Sequence, residues 1–145
     1  MAYGTPKTDP QSSTGYYIPE NLWNAVVEVD RIMGDTGRNE TMTRTEEDMC
    51  RYHHGFGTWM RNNWGLWSGS QLVDDFNQLG ITHPDDMTGI ILVTYWRWMH
   101  DLVLDVDGQV KVYQEFWKLS QATDLHITVE KSDGVTIISG GPAEC

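Results

Sequence analysis

The chain has 145 residues, enough for one domain with a hydrophobic core, and 21 acidic residues against 10 basic ones give a formal net charge of -11. That balance argues against a nucleic-acid binder and against docking on an anionic membrane, because both need clusters of Lys and Arg; it suits solubility and a basic protein partner. Two cysteines, Cys50 and Cys145, make neither a disulfide framework nor a zinc motif, no basic-then-apolar segment predicts a signal peptide, no apolar run is long enough to span a membrane, and the expected compartment is the cytoplasm.

Residues 1–17, rich in Pro, Gly, Ser and Thr, lack apolar periodicity and read as a flexible N-terminal arm. A helical domain is expected over 18–122. Its first helix is predicted from about Pro19 to Met33, with Leu22, Val26, Val29 and Met33 at helical spacing, Ala25 and Ile32 widening the stripe, and Gly34 as the stop. "DTGRNETM" then reads as a polar loop.

Thr43 followed by Glu46 resembles a capping box and predicts a second helix to about Met60, with Met49, Tyr52 or His53, Phe56 and Met60 on one face. Gly55 and Gly57 inside it each cost about 1 kcal/mol relative to Ala. Close approach of a helix or a ligand is the expected compensation.

A short third helix is predicted over Ser70 to Leu79, ended by Gly80, with Leu72, Val73, Phe76 and Leu79 on its buried face. "THPDDM" announces the fourth: Thr82 or His83 as cap, Pro84 in the first turn, Asp85 and Asp86 at the favoured acidic start. The run "TGIILVTYWRWMHDL" is apolar nearly all round, which makes this the central helix. A fifth helix near Gln109 to Gln121 carries Val112, Phe116 and Leu119 on one side. In the segment 123–145, the β-branched runs "LHITVE" and "VTIIS" flank Lys-Ser-Asp-Gly and read as a hairpin with a frayed tail. The fold class is therefore mainly α, a compact bundle of about five helices with a C-terminal β-hairpin.

No chemical motif is diagnostic. His53 and His54 are adjacent, hence about 100° apart on a helix, and cannot both face one ion. A metal site would need one of them with His83, Asp85 and Asp86 across the fold; Asp85 and Asp86 are better explained as an acidic helix start, so no metal and no cofactor are expected. Cys50 has His53 and His54 within helical reach but lacks an orienting group or an oxyanion loop, so no catalytic residue is assigned.

The stretch "RNNWGLWSGS", Arg61 to Ser70, is the most unusual. A structural account takes Arg61 as a helix end, Asn62 or Asn63 as the left-handed closing residue, Gly65 as a turn, and Trp64 and Trp67 as anchors whose indole N–H groups find the amides. A functional account takes Arg61, Trp64 and Trp67 as a recognition patch, since Arg and Trp dominate binding hot spots. The candidate binding residues are His54, Arg61, Asn62, Trp64, Trp67, His83, Asp85 and Asp86. Arg61 is expected to pair with the Asp85–Asp86 helix start.

The strings "TWMRNNWGLW", "LGITHPDDM" and "GIILV", with "VYQEFWK" further on, resemble a small bacterial family of domain-of-unknown-function proteins carrying R-N-x-W-G-L-W and H-P-D-D-M segments. The resemblance spans about residues 19–118. It implies an α-helical fold and brings no known activity.

Two functions are compatible with these features. One is a small acidic binding protein, an immunity or inhibitor-type partner of a basic toxin or nucleic-acid enzyme. The other is a small-ligand binder or enzyme with a polar-aromatic pocket around Arg61, Trp64 and His83. The discriminating observation is whether the Arg61–Trp67 and His83–Asp86 segments meet around an open cavity.

Overall fold

The computed structural model describes residues 3–125; the hairpin expected over 123–145 lies almost entirely outside them. The described residues form five α-helices, α1 (Leu22–Thr43), α2 (Thr58–Asn63), α3 (Gln71–Gln78), α4 (Pro84–Met99) and α5 (Val106–Leu125), with a 3-10 segment (Glu47–Tyr52) and a π turn (His53–Gly57) leading into α2. Among the described residues there is no strand, only an isolated antiparallel bridge between Thr8 and Tyr16.

Helix α4 is central, as its all-round apolarity predicts. Every residue from Asp86 to Leu92 is buried, and the helix packs against α1, α2, α5 and both irregular segments. Around it the core gathers Ala25, Val26, Val29 and Met33 of α1, Met49 and Met60, Trp64, and Leu72 and Phe76 of α3. No described helix is long and apolar enough to cross a membrane.

Helix α1 begins later than Pro19 suggests, because the Asn21 side chain caps it, accepting from the Asn24 N–H at 2.8 Å. It also runs beyond Gly34 to Thr43, so "DTGRNETM" is helical and not a loop. Gly34 does break the helix (φ 61°, ψ -166°), a conformation that favours glycine. The carbonyls freed at the break find new donors: Arg38 Nη2 reaches the Asp30 carbonyl at 3.2 Å and its carboxylate at 3.3 Å, and the Gly4 N–H reaches the Ile32 carbonyl at 2.8 Å. The chain can therefore kink and continue, because side chain and arm together satisfy the orphaned acceptors.

That second donor comes from the segment expected to be a flexible arm. It is docked along the helices. The Lys7 N–H donates to buried Glu28 at 2.9 Å, the Thr14 hydroxyl donates to the Asn63 carbonyl at 2.7 Å, and Tyr16 meets Trp59 edge-on at 5.1 Å. Composition hid this, since the arm's contacts are scattered single hydrogen bonds and one ring pair, which leave no periodicity.

The capping box sits two residues further on than Thr43–Glu46 suggests. The Thr45 N–H donates to Asp48 Oδ2 at 3.1 Å and the Asp48 N–H to Thr45 Oγ1 at 3.3 Å. The predicted second helix is really three kinds of turn in succession, and the reason lies at Arg61, described below. In α5 the buried face is Val106, Gln109, Val110 and Tyr113, whereas Val112 and Leu119 are exposed. The helix starts at Val106, where the Asp105 carboxylate accepts the Gly108 N–H at 3.2 Å, and of the predicted stripe only Phe116 is half-buried.

Candidate functional site

Arg61 lies on the last turn of α2 and is 6 % exposed. Its Nη1 donates to Thr88 Oγ1 at 3.0 Å, and its Nη2 donates to Thr58 Oγ1 at 2.9 Å and to the His53 carbonyl at 3.1 Å. Its Nε lies 3.3 Å from Asp85 Oδ1. A buried guanidinium is tolerable only when its donors are satisfied, and here the His53 carbonyl, at the start of the π turn, supplies one acceptor. Gly57 makes the approach possible, since a Cβ there would stand 3.0 Å from Arg61 Nη1 and 3.3 Å from the Tyr52 carbonyl. The expected compensation for glycine in this helix is thus the close approach of an arginine of the same chain. Gly55 is different: a Cβ there would meet open space.

The expected pairing of Arg61 with the start of α4 is present for Asp85 and absent for Asp86. The closing residue after α2 is Trp64 (φ -106°, ψ 15°), so neither Asn62 nor Asn63 is left-handed; Gly65 is, at φ 66°. A Cβ on Gly65 would stand 3.0 Å from the Gly69 carbonyl, and the Ser70 hydroxyl donates to the Trp64 carbonyl at 3.0 Å, closing the corner. Asn63 bonds back to the Trp59 carbonyl at 2.9 Å instead of serving an indole. Trp64 is fully buried, edge-on to Trp59 at 6.0 Å, and its Nε1 has no hydrogen-bond partner among the described residues.

The candidate residues therefore separate into three groups. Arg61 and Trp64 belong to the interior, with Asp85 half-exposed beside Arg61. His54 and Asn62 are exposed and distant in role: His54 meets only the edge of His53, at 5.0 Å, in the ring contacts described. Trp67, His83 and Asp86 form a surface cluster with Trp117 of α5, a residue that sequence reasoning missed. Trp67 is 60 % exposed and meets the His83 ring edge-on at 6.1 Å; His83 stacks on Trp117 at 5.7 Å. Trp117 Nε1 donates to Asp86 Oδ2 at 2.7 Å.

His83 caps α4, its Nδ1 accepting the Asp85 N–H at 3.1 Å, which places the ring proton on Nε2. Asp86 is buried, and that burial pushes its carboxyl above the ordinary range, offset by the Trp117 hydrogen bond and by His83. An open cleft of about 460 Å³ runs between His83–Asp86 and the α5 residues Gln114, Trp117, Lys118 and Gln121. Those four share a face of α5 at helical spacing, the one sequence signal that could have found them. The Arg61–Trp67 and His83–Asp86 segments do meet, through Arg61–Asp85 and Trp67–His83, but the cleft opens on the other side, toward α5.

A family model described as a domain of unknown function, DUF6794, matches residues 18–99. The chain belongs to that family. The matched span of this DUF6794 protein ends at Met99, short of the "VYQEFWK" segment included in the resemblance, so α5 and one wall of the cleft fall outside it. No curated protein and no solved structure matches the chain.

Among the described residues no group of three or more His, Cys, Asp or Glu is placed to hold a metal ion.

Proposed function

We propose that this chain is a protein-binding module, an immunity or inhibitor-type partner that covers a basic site on a toxin or nucleic-acid enzyme. The observation that carries the reading is the surface cluster of Trp67, His83 and Trp117, rigid aromatic area around a carboxylate on a strongly acidic chain. Aromatic anchors with complementary charge are what a hot spot needs: the rings supply buried area at low entropy cost, and the field speeds encounter with a cationic partner.

Arg61 and Trp64 support the pocket alternative less well, whereas His83 does line an open cleft. Arg61 is committed to Thr58, Thr88, His53 and Asp85 and has no face left for an incoming anion, and Trp64 is core. The test is affinity capture on the immobilised protein beside a Trp67→Ala variant. We expect one basic polypeptide to be retained at low salt, released as ionic strength rises, and lost with Trp67→Ala. Retention of nothing basic, together with a small molecule co-purifying with the protein, would favour the alternative.

A further inference from the structure

Asp86 accepts one hydrogen bond, from Trp117 to Oδ2; its Oδ1 accepts none from the described residues and still reaches solvent. The cleft that Asp86 lines gives a ligand access to that carboxylate, where a donor can replace water. The surroundings specify what kind of donor. The wall beside Asp86 is the indole of Trp117, whose electron-rich face attracts cations. Gln114 and Gln121 on the same face of α5 offer amide oxygens as further acceptors.

We infer that the cleft between the start of α4 and α5 receives one organic cation, a guanidinium or ammonium group, accepted by Asp86 Oδ1 and flanked by Trp117. The inference rests on the binding reading and deepens it: the cation is an Arg or Lys side chain of the basic partner. Lys118 on the rim carries the same sign as this ligand, so its removal should help. For an anionic ligand it would be the main attraction.

Arginine amide is a suitable probe, with inorganic phosphate as the anionic control. The readout is the Trp117 indole N–H resonance, assigned by its loss in Trp117→Phe. We expect a saturable shift with arginine amide. In Asp86→Asn, which keeps an acceptor for Trp117 but removes the charge, binding should weaken about tenfold or more, the loss of one charge-assisted bond. In Lys118→Gln it should tighten. The resonance dispersion of each variant checks that it is folded. No saturable shift, equal binding by Asp86→Asn, or a phosphate-induced shift abolished by Lys118→Gln would overturn the inference. The two proposals also separate. A basic partner held equally well by wild type and Asp86→Asn leaves the binding reading standing and removes the cleft from it; an arginine-amide site without any basic partner does the reverse.

Discussion

Arg61→Ala is the perturbation whose outcome follows most directly from the structure. The guanidinium makes three hydrogen bonds inside the fold and one ion pair, to a partly exposed Asp85. Each hydrogen bond contributes roughly 1 kcal/mol net, with more for charged donors. The ion pair adds about 0–1 kcal/mol, because Asp85 stays hydrated. Thr88 and Thr58 keep other partners after the change, since their hydroxyls also donate to the Asp85 and His54 carbonyls, so the loss is mainly that of the guanidinium's own bonds. The expected loss is about 3 kcal/mol, or a fall of about 10 °C in Tm at roughly 3–5 °C per kcal/mol for a chain of this size. Urea and thermal melts of Arg61→Ala, Asp85→Ala, Asp86→Ala and the two doubles measure it. Arg61 should couple to Asp85 by about 0.5–1 kcal/mol and be additive with Asp86. A loss below about 1 kcal/mol, or stronger coupling to Asp86 than to Asp85, would refute this account of the interior. Arg61→Lys is expected to restore little, because an ammonium cannot reproduce the planar fork.

Four further outcomes are expected. Gly57→Ala should be more favourable in the Arg61→Ala background than in the wild type, because the Cβ that would crowd Nη1 then meets space; equal effects in denaturation experiments would separate the glycine from the arginine. Gly65→Ala should cost about 1–2 kcal/mol, since a left-handed alanine is strained and crowds the Gly69 carbonyl; an unchanged urea midpoint would mean that the corner relaxes. Asp86 and Glu40 should give opposite pH slopes. Burial raises the Asp86 carboxyl, so stability is fullest below its ordinary value of 3.8 and declines as pH rises through the raised one; the Tyr3 hydroxyl holds Glu40 below its ordinary 4.5, so that contribution is present above 4.5 and fades as pH falls. Asp86→Asn and Glu40→Gln should each remove one of these slopes, and stability curves unchanged from the wild type would contradict the assignment. Finally, the Gly4, Lys7 and Tyr17 amides, bonded to the Ile32 carbonyl, Glu28 and the Lys7 carbonyl, should exchange with solvent far more slowly than free chain; exchange at free-chain rates would show that the arm does not dock.

Periodicity and end signals were enough for most of the helical frame. The stripe Ala25–Val26–Val29–Met33, Ser70 and Gly80 around α3, and Pro84 behind a capping His83 all act within one or two turns, where sequence neighbours are also spatial neighbours. The site was less legible. That Arg61 approaches the start of α4 could be argued from short connections, but its choice of Asp85 over Asp86 depends on which carboxylate faces α2 and which faces α5. The π turn and Gly57 make sense only once a guanidinium from the following turn needs the His53 carbonyl. The docked arm and Trp117 beside Asp86 are decided by partners 21 to 49 residues away. A sequence records which groups need satisfying; only the packed chain selects which distant donor or acceptor satisfies each one, because that choice depends on backbone paths meeting in space.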